Sequence, residues 1–128
     1  MNVAIACPCG SGQSYPACCG PYLDHGQPPA TAEALMRSRY SAYVLGREGY
    51  LLRTWHESTR PGTLDLRDAG TVRWLGLKIV RTEAGGPDDG RGVVEFVARY
   101  KIGGKAHGLH ETSRFVREGG QWFYLDGA

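Results

Sequence analysis

Residues 93–126 read Val93-Val-Glu-Phe-Val-Ala-Arg-Tyr-Lys-Ile102-Gly-Gly-Lys-Ala-His-Gly-Leu-His-Glu-Thr-Ser-Arg-Phe-Val-Arg117-Glu-Gly-Gly120-Gln-Trp-Phe-Tyr-Leu-Asp126. Two glycine pairs, Gly103-Gly104 and Gly119-Gly120, divide this stretch into runs rich in β-branched and aromatic residues. A glycine pair between such runs marks a hairpin turn. The expected strands are 93–102, 107–117 and 121–126. Upstream, Val72–Glu83 alternates as a strand should, and Gly85-Gly-Pro-Asp-Asp-Gly90 separates it from Val93. Strict alternation would put Val72, Trp74, Gly76, Lys78 and Val80 on one face and Leu75, Leu77 and Ile79 on the other. The whole predicts a four-stranded antiparallel meander.

The residues before the meander read as helices. Thr31 can cap a helix entered from Gln27-Pro-Pro-Ala30, and Glu33 suits the positive end of its dipole. The helix should run to about Leu45, with Met36, Tyr40, Tyr43 and Val44 on its core face and Gly46 just past its end. A second helix, about 48–56, carries Leu51, Leu52 and Trp55 and stops before Ser58-Thr-Arg-Pro-Gly62. Helices followed by a run of hairpins define an α+β fold in which helices cover one face of a curved sheet. The chain has 128 residues, which is enough for one core. With 41% hydrophobic and 22% charged residues it is globular in composition, and no apolar run approaches the roughly 18 residues of a spanning helix.

Residues 1–30 differ from the rest. They hold all four cysteines, five of the seven prolines, one acid (Asp24) and no Lys or Arg. The expected division is therefore a small unit with its linker over 1–30 and an α+β domain over 31–128. The start, Met1-Asn-Val-Ala-Ile-Ala-Cys7, lacks a basic region and has too short an apolar stretch for a leader, so the chain reads as cytoplasmic. In a reducing compartment, clustered cysteines point to metal or redox chemistry. The motif Cys7-Pro-Cys9-Gly-Ser-Gly-Gln-Ser-Tyr15-Pro-Ala-Cys18-Cys19 pairs thiolates on either side of a glycine-rich loop, a donor set that suits tetrahedral zinc. Disulfides within the pairs would be strained, none of the common iron–sulfur spacings matches, and a thioredoxin-like site would want Cys-x-x-Cys ahead of a helix. Zinc is favoured over these alternatives. With four protein ligands no coordination position stays open, so the site reads as structural.

The cysteine segment resembles the SEC-C zinc-binding motif known from the tail of the SecA translocase. The resemblance implies ligand roles for Cys7, Cys9, Cys18 and Cys19. Gln13, Ser14, Pro16 and Ala17 stand where many members of that family carry lysines, which argues against a nucleic-acid role here. The remainder resembles the bacterial YchJ-like family, through Leu35-Met-Arg-Ser-Arg-Tyr-Ser-Ala-Tyr43, Tyr50-Leu-Leu-Arg-Thr-Trp-His56, Trp74-Leu-Gly-Leu-Lys78, Val94-Glu-Phe96, His110-Glu-Thr-Ser-Arg-Phe115 and Trp122-Phe-Tyr-Leu-Asp-Gly127. That resemblance implies a cone-shaped domain similar to nuclear transport factor two.

Cones of this kind often enclose a pocket, and its expected wall here is Tyr40, Tyr43, Trp55, Trp74, Glu111, Phe115 and Tyr124. Glu111 shares the strand phase of Ser113 and Phe115, so it should point inward and His110 outward. A salt bridge from Glu111 to Arg37, Arg39 or Arg99 is preferred over a general base. His56 is expected to be a cap or an exposed residue, and His25 and His107 lie in glycine-rich turns. No catalytic set or dinucleotide fingerprint is legible. The favoured reading is a zinc-stabilised binding or adaptor module with a protein partner at the knuckle. The alternative is a small-molecule binder or dehydratase/isomerase-type enzyme using the cone. Neither nucleic acid nor membrane insertion is expected, since the 12 arginines are scattered and form no run.

The formal net charge of +2 counts the cysteines as neutral. Four thiolates on one Zn²⁺ would contribute about −2 and bring the total to about zero. Residues 31–128, with fifteen basic and twelve acidic side chains, stay at +3. The knuckle is therefore expected to dock on the arginines of its own chain.

Overall fold

The computed structural model describes residues 6–64 and 72–127. The leader-like stretch at 1–5 lies outside them. Thr31 opens the main helix as expected: its hydroxyl accepts from the Ala34 amide at 3.0 Å, and Gly46 in the left-handed conformation (φ 70°) ends it. Two short helices flank it, so that α1 is Gly20–His25, α2 is Ala32–Leu45 and α3 is Glu48–Arg53. A single 3₁₀ turn, Tyr15–Ala17, lies before α1.

Helix α2 is buried nearly all round. Met36 and Tyr40 face the sheet, but Leu35, Ser38, Ser41 and Ala42 are buried too, whereas Tyr43 and Val44 are only half-buried. The second buried face arises because α3 and the cysteine loop both pack on α2. Ser38 Oγ lies 2.7 Å from the Tyr50 hydroxyl, and Ser41 Oγ lies 3.7 Å from Cys7 Sγ. Helix α3 is shorter than expected. Thr54 turns its hydroxyl back to the Tyr50 carbonyl at 2.7 Å, and the chain then leaves the helix to pair with the last strand. Trp55 is thus a strand-like residue bridged to Tyr124, with His56 N donating to Tyr124 O at 2.7 Å and Tyr124 N to Thr54 O at 2.8 Å.

The meander is present, with β1 Val72–Ala84, β2 Arg91–Ile102, β3 Lys105–Glu118 and β4 Gln121–Gly127 in the order β1-β2-β3-β4, each pair antiparallel. The two faces of β1 do not follow strict alternation. Irregularities between Trp74 and Gly76 and between Ile79 and Arg81 shift the register, bringing Trp74, Leu77 and Ile79 onto the core while Leu75 and Val80 are exposed. A bulge inserts an unpaired residue and bends the strand, which flips every side chain beyond it. This bend helps curve the sheet around α2.

Leu35, Leu51, Val94 and Phe115 fill the centre at 0–1% exposure. At one end of the sheet the first turn of α2 rests on a glycine pair: Ala32 N donates to Gly85 O at 2.9 Å, and a Cβ on Gly92 would stand 2.6 Å from Gly85 Cα and 2.9 Å from Ala32 Cβ. The Trp122 indole donates to Ala30 O at 3.1 Å and fixes the linker to β4. Among the described residues no helix is long and apolar enough to cross a membrane.

Candidate metal centre and cone cavity

The cysteine loop is shaped by its glycines and closed by backbone pairing. Cys7 N donates to Gln13 O at 2.9 Å, Gly10 N reaches back to Cys7 O at 3.1 Å, and Gly10 and Gly12 adopt φ of 76° and 87°, which side-chain-bearing residues rarely take. The 3₁₀ turn and α1, neither of which the sequence reading anticipated, deliver Cys18 and Cys19. Tyr15 packs on Gly20, where a Cβ would come within 2.8 Å of the Tyr15 carbonyl oxygen, and its hydroxyl donates to Asp24 at 3.0 Å.

These elements bring the sulfurs of Cys7, Cys9, Cys18 and Cys19 within 4.8 Å of one another. Cys9 and Cys18 are 3.6 Å apart and Cys18 and Cys19 are 3.9 Å apart. Zinc–sulfur bonds of about 2.3 Å at the tetrahedral angle set sulfurs about 3.8 Å apart, so the donor set and spacing fit one metal ion. All four cysteines are free thiols. Cys9 and Cys19 are 0% exposed and Cys7 is 5% exposed, so water does not reach most of the cluster.

Without metal the thiols share protons unequally. A hydrogen bond from Cys19 pulls the Cys9 thiol down to about 4 against the opposing effect of burial, with Ser11 and Cys7 helping. Its bond to Cys9, together with burial, pushes Cys19 up, and burial also raises Cys18. Outer partners complete the environment: the Ser11 hydroxyl is 3.1 Å from Cys18 Sγ, and Arg37 Nη1 donates to Cys9 O at 3.1 Å while standing 4.0 Å from its sulfur. Such contacts orient metal-bound thiolates and tune their basicity.

Between α2 and the sheet lies a cavity of about 380 Å³. Tyr40, Tyr43, Trp55, Trp74, Glu111 and Tyr124 line it. Phe115 does not. It stands opposite Gly92 in the β2–β3 register, where it is 1% exposed in the core, with its ring 5.8 Å from that of Tyr124.

Glu111 faces inward opposite Phe96, and the Ser113 hydroxyl donates to its Oε2 at 2.7 Å. The expected ion pair is not formed with any arginine among the described residues. Arg37 is turned toward Glu33 and Cys9, Arg39 Nη1 donates to Leu51 O at 2.8 Å and Thr54 Oγ1 at 2.7 Å, and Arg99 follows the outward phase of β2. Arg39, which the sequence offered only as a partner for Glu111, is itself part of the cavity wall. Its place three residues after Met36 puts it on the helix face toward the sheet, which was the available signal.

Residues 31–127 match the model of the family described as YchJ, middle NTF2-like domain. The chain belongs to the YchJ-like family. It is 63% identical over 124 residues to a UPF0225 protein of Chromobacterium violaceum, covering 95% of this chain and 91% of that one. To a UPF0225 protein of Ralstonia nicotianae it is 54% identical over 132 residues, covering 95% and 90%. Among solved structures, a SEC-C motif containing protein from Rhodopseudomonas palustris superposes with a TM-score of 0.83 at 36% identity, covering 97% of this chain and 98% of that one. Another SEC-C motif containing protein, from Psychrobacter arcticus, gives 0.76 at 31% identity, covering 94% and 80%.

In this YchJ-like chain the knuckle does sit on its own arginines. Besides Arg37, Arg47 pairs with Asp24 at 2.8 Å and Arg53 Nη2 donates to Tyr22 O at 3.4 Å. The histidines lie away from the cavity. His110 is exposed with Nε2 2.6 Å from Glu95 Oε2. His56 is half-buried: its Nδ1 accepts from Ser58 N at 3.1 Å, and its Nε2 lies 3.0 Å from Glu118 Oε1 but off the line of a hydrogen bond.

Proposed function

We propose that the chain is a zinc protein whose Cys7, Cys9, Cys18 and Cys19 knuckle is a closed structural site, and that it works as a binding or adaptor module. The observation that carries this reading is the cluster of four sulfurs within 4.8 Å, three of them on cysteines buried to 5% exposure or less. Hydrolytic zinc needs a coordination position for water, and four thiolates leave none. Bound metal would contribute the folding free energy that so small a loop cannot draw from an apolar core. The SEC-C motif in the two solved relatives supports the choice of zinc.

The exposed rim of the knuckle, Gly12, Gln13, Pro16 and Ala17, carries no charge. An uncharged rim favours a protein partner over nucleic acid, whose backbone demands cations. The test compares proteins retained by the zinc-loaded wild type and by a folded Cys18→Ser, Cys19→Ser variant. Partners lost with the variant support the module reading, and an identical set from both removes the knuckle from recognition.

A further inference from the structure

We infer that the cone cavity is a binding site for a small carboxylate with a flat apolar body, and that Arg39 is the group that receives the carboxylate. Arg39 is a buried cation. It is 3% exposed, yet no Asp or Glu forms a salt bridge with it among the described residues. Among those residues only its Nη1 is hydrogen-bonded, to Leu51 O and Thr54 Oγ1. Aromatic rings pack on the guanidinium as well, with its carbon 5.1 Å from the Trp55 ring centre and 4.6 Å from that of Tyr124.

The hydrogen bonds use Nη1 and leave Nε and Nη2 without a hydrogen-bond partner among the described residues, in a side chain that lines the cavity. Glu111 in the same wall attracts the guanidinium without forming a salt bridge, so the buried cation is only partly compensated, and an arginine held by aromatic rings and one edge is already set for a two-point bond to a carboxylate. The size is right, because a volume of about 380 Å³ falls in the range of small-molecule sites. So is the lining. Trp74, Tyr40 and Phe96 supply apolar walls, and the carboxylate in the wall is that of Glu111, on β3.

Glu111 restricts the ligand further. Ser113 occupies its Oε2, and Gly127, where a Cβ would collide with the Glu111 carboxylate, holds that group against the backbone. A second negative charge beside it would be repelled, so the end of the ligand away from Arg39 should carry a hydrogen-bond donor. A hydroxylated aromatic monocarboxylate has both features. The cysteine loop meets α2 through Arg37 and Ser41, whereas α2 lines the cavity with Met36, Arg39, Tyr40 and Tyr43, so the two sites use different side chains of the helix.

The experiment is an NMR titration of the zinc-loaded full chain with 4-hydroxybenzoate, with its neutral isostere 4-hydroxybenzamide as control. The proposal predicts saturable shifts centred on Trp55, Trp74 and Tyr124, and binding of the amide at least about tenfold weaker, the loss of one charge-assisted contact. Two variants locate the site. Arg39→Met replaces a buried cation with an apolar side chain of similar length and should abolish carboxylate binding. Ala98→Phe, which fills the cavity and leaves Arg39 in place, should do the same. The proposal is overturned by non-saturating shifts, by equal binding of acid and amide, or by a folded variant that binds 4-hydroxybenzoate as wild type does.

Discussion

Arg37→Met tests whether the knuckle is held to the domain by specific contacts. The wild-type guanidinium bridges two units: within α2 it pairs with Glu33 at 3.0 Å, and across to the knuckle it donates to Cys9 O at 3.1 Å. The second contact, joined by the longer approach of Nη1 to the Cys9 sulfur at 4.0 Å, crosses to the cysteine loop, and methionine retains most of the apolar stem. A hydrogen bond from a charged donor contributes about 1.5–3 kcal/mol, and the Arg37 side chain is only 23% exposed, so most of that value survives solvent screening. A loss of roughly 2 kcal/mol corresponds to about a thirtyfold increase in local opening of the loop.

Native-state amide exchange on the zinc-loaded protein reads this directly at Cys7, Gly10 and Cys18, whose N–H groups bond to Gln13, Cys7 and Tyr15 carbonyls. Exchange at those amides should accelerate roughly ten- to a hundredfold while Val94 and Phe96 in β2 keep their protection. Unchanged exchange at Cys7, Gly10 and Cys18 would refute the idea that Arg37 anchors the knuckle.

Two further perturbations probe the frame. Gly92→Ala places a methyl 2.6 Å from Gly85 Cα, where only backbone could yield, whereas a Cβ on Gly90 meets nothing within 4 Å. The first should cost about 1–3 kcal/mol in denaturant unfolding and Gly90→Ala well under about 1, and equal effects would contradict the close approach. Burial, opposed by the Ser38 bond, pushes the Tyr50 phenol up to about 12. Its folded value lies above the unfolded 10.0, so its contribution is whole below pH 10 and is lost as pH rises toward 12, by roughly 3 kcal/mol. Stability measured against pH should fall over that window, and less steeply in Tyr50→Phe; identical slopes would count against the buried phenol.

What could be read from the sequence depended on how local each signal was. The hairpin turns, the Thr31 cap and the Gly46 stop are short-range, and each lies where its residues placed it. The four sulfur donors were legible because the ligand pairs and the glycines between them are close in sequence. The 3₁₀ turn and α1 escaped notice because three and six residues are too few to show a periodicity. The bulge at Leu75 was hidden for another reason: alternation alone cannot say where an extra residue enters, and Leu75 looks like a core residue until Trp74 and Leu77 are both seen to face inward. The Glu111 error was one of partner choice. Inward phase was correct, but which arginine could reach it depends on the packing of α2 between the sheet, α3 and the knuckle. Arg39 finds aromatic rings, a threonine hydroxyl and a backbone carbonyl there in place of an acid.

The most direct measurement is the metal content of the purified chain while its thiols are blocked stepwise with an organic mercurial. One zinc per chain, released in proportion until all four cysteines have reacted, is the predicted result for a single site made by Cys7, Cys9, Cys18 and Cys19. A chain that binds no zinc when refolded with it, or whose zinc survives blocking of all four thiols, would contradict a four-cysteine centre.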